Sequence, residues 1–109
     1  MAVTKHRSGT SVITDIFPKG QAEFIHGDTM TVALWKFDQD GGVPSHQHPH
    51  EQITHCLEGT LAVTVDSEVI VLEAGDSVVI PGGVEHEAHA RTAARGFDVF
   101  HPVREDYRL

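Results

Sequence analysis

What most constrains this chain is how short its apolar runs are. TMTVALWKF (29–37), TLAVTV (60–65), EVIVL (68–72), DSVVI (76–80) and GFDVF (96–100) are alternating or β-branched. Turn residues separate them, in FPKGQ, HGD, DQDGGVP, LEGT, EAGD and PGGVE. No segment sustains the 3.6-residue apolar period of a helix. Many short strands at this spacing predict an all-β sandwich or barrel. With 109 residues and 39% apolar side chains, the expected organisation is one domain over 1–109 around one core, spanning about 20–103. The first ten residues and the last few are expected to be loosely held.

Charge narrows the partners. The formal net charge of −8 argues against nucleic acid and membrane surfaces, which require a basic footprint. It leaves room for an anionic small-molecule substrate if a local cation meets it. The N-terminus MAVTKHRSGTSVITDIF lacks a long apolar stretch, and no run approaches the ~18 apolar residues of a membrane span, so a cytoplasmic location is expected. Cys56 is the single cysteine, which rules out a disulfide framework and predicts a small buried residue.

Nine histidines are many for this length, and five of them fall between His46 and His86. The stretch HQHPHEQITH (46–55) concentrates imidazole, carboxylate and amide groups, all of them metal-ligating. Its pattern is H-x-H, three residues, Gln52, six residues and Gly59. Fifteen residues later follows GDSVVIPGGVEH, a glycine, five residues, P-x-G, two residues and His86. These two blocks resemble the paired signature of the cupin superfamily, small jelly-roll β-barrels. That resemblance covers about residues 40–90 directly and implies a metal held by His46, His48, Gln52 and His86.

Strand geometry agrees independently. Residues two apart on a strand share a face, so His46 and His48 can enter a barrel together. Gln52 can rejoin that inward set after a turn through Pro49 and His50, and His86 arrives from a later strand. Most such cupins carry glutamate where this chain has Gln52. The neighbouring Glu51 is the alternative ligand, but a shift of one residue reverses facing on a strand, so Gln52 is assigned. A neutral amide leaves the metal its full charge, which suits Lewis-acid work. Nickel, zinc, iron, manganese and cobalt all accept such a donor set, so one divalent transition metal is expected without an identity. His50 is expected to face solvent in its turn, His55 to face away from the metal, His89 to be exposed, and His6 and His26 to be surface residues. His101 flanks Pro102, with the cavity mouth as the lesser alternative to a surface position.

The ending GFDVFHPVREDY is similar to the tail of the small single-domain cupins resembling KdgF, which act in pectin and alginate breakdown. The matching positions are Asp98, Phe100 and Arg104, followed by Glu105, Asp106 and Tyr107. The resemblance implies conversion of 4,5-unsaturated uronate monosaccharides from the cyclic hemiacetal to the linear keto form. Asp98 shares strand parity with Phe100 and is the candidate acid/base; Phe100 would wall the sugar ring, and Arg104 would meet the substrate carboxylate. The alternative for Arg104 is a surface pair with Glu105 or Asp106. Other functions open to this fold are polyketide cyclisation, metal-dependent dioxygenation and non-catalytic sugar or metal binding. A polyketide cyclase would line its cavity with groups such as Leu34, Trp35, Ile53 and Phe100 and turn Arg104 to solvent. A homodimer is expected, with segment 1–17 available as an extra or exchanged edge strand.

Overall fold

The computed structural model describes residues 2–108. Ten strands run in chain order: β1 (Ile13–Phe17), β2 (Gly20–His26), β3 (Thr31–Phe37), β4 (Gly42–His46), β5 (Glu51–Glu58), β6 (Leu61–Val65), β7 (Glu68–Leu72), β8 (Ser77–Ile80), β9 (His86–Ala90) and β10 (Ala94–His101). A single turn of 3-10 helix, Glu105–Tyr107, follows. The strands form a six-stranded sheet, β1-β2-β3-β10-β5-β8, and a four-stranded sheet, β4-β9-β6-β7, all antiparallel. The chain is all-β, as its punctuation predicts. Among the described residues no helix is long and apolar enough to cross a membrane.

Alternation sorts each strand onto two faces. In β3, Thr31, Ala33, Trp35 and Phe37 are buried while Leu34 and Lys36 are exposed. Leu34 therefore lies on the outer surface, as does Ile53 on β5. Trp35, Phe37, Cys56, Leu61, Val63, Leu72 and Ile80 fill the space between the sheets. Gly96 permits the close approach of β10 there: a side chain at that position would begin 2.1 Å from the His55 carbonyl oxygen and 2.6 Å from the Trp35 ring. The Cys56 thiol is buried and donates to the Glu58 and Gly59 carbonyls.

The N-terminal segment supplies an edge strand. β1 pairs with β2 at the edge of the six-stranded sheet. The residues before it are tied to the buried Glu23, whose carboxylate accepts from the Gly9 amide at 3.1 Å and the Ser11 amide at 3.0 Å and lies 2.9 Å from His6 Nε2. The Ser11 amide, the Gly9 amide and His6 hold the Glu23 pKa down from 4.5 to about 2, against the opposing cost of burial. A carboxyl with a depressed folded pKa contributes its full stabilisation above the ordinary value, and that contribution is lost as pH falls towards the folded one. The Gly9 and Ser11 amide proton shifts should accordingly titrate with a midpoint near 2. A midpoint near the ordinary 4.5 would mean that the arm is detached.

Candidate metal centre and cavity

Backbone register assembles the site. His46 closes β4 and His86 opens β9, and the two are direct cross-strand partners. Their ring centroids lie 4.3 Å apart, with His48 4.9 Å from His86 and 5.4 Å from His46. His48 is not on a strand: it lies in the link between β4 and β5, so its convergence with His46 comes from the turn and not from parity. Gln52, second in β5, is buried and faces inward, whereas Glu51 is exposed and pairs outward against His101.

The protonation pattern is fixed by the backbone. Nδ1–H of His46 donates to the Pro44 carbonyl at 2.7 Å, that of His48 to the His50 carbonyl at 3.1 Å, and that of His86 to the Val84 carbonyl at 2.8 Å. A carbonyl can only accept, so each Nδ1 carries the proton and each Nε2 presents a lone pair. Burial holds the His48 pKa down to about 4, helped by the Arg104 charge and by His86, and lowers His86 as well, which keeps both rings neutral. Ligating atoms of the three histidines all lie within 4.8 Å of one another. His86 Nε2 is buried without any hydrogen-bond partner. His48 Nε2 faces Gln52 Oε1 at 3.0 Å, so two acceptors oppose each other with no proton between them. Orphaned and opposed lone pairs at one point are what a divalent cation resolves, and the carbonyls behind the rings orient them for it. His46, His48, His86 and Gln52 fit a metal and would hold it with positions left open.

A narrow cavity that opens to solvent adjoins this point. Its polar end holds Gln52, Thr54, Asp98 and Arg104, and Leu61, Val63 and Ile80 line the apolar remainder. Asp98 and Phe100 both project inward from β10, Asp98 opposite Thr54 and Phe100 opposite Gln52. Trp35 Nε1 donates to Asp98 Oδ1 at 3.2 Å. Burial pushes the Asp98 pKa up to about 6, although hydrogen bonds from Thr54, Trp35 and Gln52 and the Arg104 charge pull the other way.

Arg104 combines both of its sequence-level alternatives. It pairs with Asp106, Nε at 3.0 Å and Nη2 at 2.8 Å, yet it is only 4% exposed and lines the cavity. The guanidinium carbon lies 4.6 Å from the Phe100 ring centroid and 4.2 Å from that of Tyr107, two rings set edge to face, and its Nη1 is buried with no partner. The Arg104 amide donates to Thr31 Oγ1 at 2.9 Å, and His26 bridges Thr31 Oγ1 and the Tyr107 carbonyl.

Three histidines differ from expectation, the first being His6, which is half-buried beside Glu23. His50 is half-buried rather than solvent-facing, because its Nε2 reaches the Val103 carbonyl at 3.3 Å and its ring packs on His48. His26 is half-buried and ties β2 to the C-terminal turn. His55 stacks on Phe97 and bonds Ser77, on the face away from the metal centre, as parity predicts. His89 and His101 are exposed. Thr54 escaped sequence reasoning, although its spacing of two from Gln52 placed it on the same face.

The comparisons agree with this geometry. The cupin domain family matches residues 33–100. No curated protein matches by sequence. Among solved structures, an RmlC-like cupin from Shewanella frigidimarina NCIMB 400 is 29% identical, with a TM-score of 0.88 over 97% of this chain and 96% of that one. KdgF from Halomonas sp. is 28% identical, with a TM-score of 0.79 over 91% of this chain and 98% of that one. Salicylate 1,2-dioxygenase from Pseudoaminobacter salicylatoxidans, 19% identical, superposes with a TM-score of 0.75 over 79% of this chain and 26% of its own and shares the fold alone. With three histidines converging between two antiparallel sheets and the family signature spanning most of the strands, this chain belongs to the cupin family, and KdgF is among the proteins it resembles.

Proposed function

We propose that this cupin is a metal-dependent enzyme that converts 4,5-unsaturated uronate monosaccharides from the cyclic hemiacetal to the linear keto form. The observation that carries the reading is the unspent Nη1 of buried Arg104, in the same cavity as Asp98 and the metal centre. An acidic chain that seats a partly unpaired cation inside its cavity is equipped for an anionic ligand. The likeness to KdgF supports the same substrate class.

The chemistry is an isomerisation by proton transfer. The anomeric hydroxyl loses its proton as the bond between C1 and the ring oxygen breaks, which leaves an aldehyde at C1 and an enol at C5. Protonation at C4, with loss of the enol proton, gives the C5 ketone, and no net proton or electron is gained. A bound metal supplies Lewis-acid polarisation of a substrate oxygen. In this reading Asp98 takes up one proton and returns another, Phe100 forms an apolar wall for the ring, and Arg104 Nη1 meets the carboxylate. A polyketide cyclase is less well served by this cavity, because Leu34 and Ile53 lie outside it and Arg104 lies inside.

The test is a direct assay. Metal-loaded protein should abolish the ultraviolet absorbance of the C4=C5 bond in unsaturated galacturonate or mannuronate faster than the spontaneous reaction does, and a chelator should stop it. A loaded protein that leaves both sugars untouched overturns the reading.

A further inference from the structure

Gln52 occupies a position where a carboxylate would also bind a metal, and its neighbours give a reason for the amide. Gln52 Nε2 donates to Thr54 Oγ1 at 2.9 Å, both residues are buried, and Thr54 stands directly across from Asp98 on β10. Asp98 accepts from Trp35 Nε1 at 3.2 Å, and Thr54 and Gln52 lie near enough to favour its carboxylate form. One amide hydrogen of Gln52 thus goes to the Thr54 oxygen, which leaves the Thr54 hydroxyl proton free to turn towards Asp98 across the strand pair.

This matters because the amide could turn over. Before metal binds, Oε1 faces the lone pair of His48 Nε2 at 3.0 Å, and a flipped amide would replace that repulsion with an N–H···N bond. The flip would also aim a carbonyl oxygen at the Asp98 carboxylate, exchanging one opposition of acceptors for a worse one that involves a charge. A glutamate at 52 has no hydrogen to give Thr54 and would set a second anion beside Asp98.

We propose that Thr54 is a positioning residue for the metal centre: together with Asp98 it locks the Gln52 amide with Oε1 turned to the histidines, so that a neutral oxygen ligand is preorganised before metal arrives. The lock acts on ligand geometry and does not depend on which substrate the cavity takes. It rests on the metal-centre part of the functional reading only, so a chain inactive on uronates leaves it standing.

The experiment uses cobalt(II) as the probe, on full-length protein stripped of metal. Thr54→Val keeps the volume and removes the hydroxyl, and Thr54→Ser restores it. Removing a residue that orients a ligand costs about 10–100-fold in metal affinity. Thr54→Val should weaken cobalt binding by about tenfold in calorimetry and alter the visible absorption of the bound ion, which reports its ligands. Thr54→Ser should recover the wild-type spectrum. The decisive comparison is made in a Gln52→Glu background, where no amide exists to flip and Thr54→Val should change affinity less than twofold. Wild-type affinity and spectrum in Thr54→Val overturn the proposal. An equal loss in both backgrounds overturns it as well, because it would assign Thr54 a general packing role. Should Thr54→Val fail to fold, Thr54→Ala and Thr54→Ser compared in the two backgrounds read the same coupling.

Discussion

Asp98→Asn should lower kcat for uronate opening by about 10²–10⁴-fold at saturating metal, the range that a positioned acid/base contributes. Asparagine keeps a carbonyl oxygen that can accept from Trp35 and Thr54, so the local hydrogen bonds largely survive. What it loses is the capacity to take up and return a proton. That separates catalysis from binding: a cupin that only binds sugar or metal would retain its function in this variant. The substitution also removes a charge from a half-buried position that keeps its Trp35 donor, so the apoprotein is expected to stay folded. Steady-state kinetics with metal-loaded wild type and variant measure the effect. An unchanged kcat would remove Asp98 from the chemistry.

Much of this arrangement was legible before any coordinates, for reasons that are local. Two-residue periodicity placed Asp98 with Phe100 and separated Gln52 from Glu51, because facing on a strand depends only on counting. The same counting fails where the chain leaves a strand. His48 and His50 lie in a link, and a turn rather than alternation sends His48 to the metal point and folds His50 against it. Strand pairing is equally invisible in one sequence: that Thr54 stands across from Asp98, or His46 from His86, follows from register between segments dozens of residues apart. The seating of the arm before β1 was missed because nothing local marks Glu23 as its anchor. Only the fold shows that it bonds the chain that covers it. Arg104 was ambiguous for a different reason. A loop residue has no parity, and a neighbouring Asp106 reads as a surface pair until the 3-10 turn is seen to carry both over the cavity end.

Arg104→Met should raise KM for an unsaturated uronate by about a hundredfold while kcat falls far less. A charge-assisted hydrogen bond is worth roughly 1.5–3 kcal/mol, and 3 kcal/mol corresponds to about 150-fold in affinity at 1.36 kcal/mol per tenfold. The argument for a binding rather than a chemical role is geometric. Asp106 takes Nε and Nη2, the Phe100 and Tyr107 rings pack against the guanidinium, and the buried Nη1 remains to meet a ligand. A group clamped this firmly cannot swing during turnover, so it contributes equally before and during reaction and appears in KM. Methionine can pack against both rings without charge. Arg104→Lys keeps the charge but loses the planar fork, so it should recover only part of the affinity. Asp106→Asn should fall between wild type and Arg104→Met, because it loosens the clamp without removing the cation. Competition with saturated sugars isolates the carboxylate term: wild type should prefer galacturonate to galactose as an inhibitor, and Arg104→Met should lose that preference. Equal inhibition by both sugars in the wild type would place the carboxylate elsewhere and leave Arg104 as a strut that holds the C-terminal turn on the barrel.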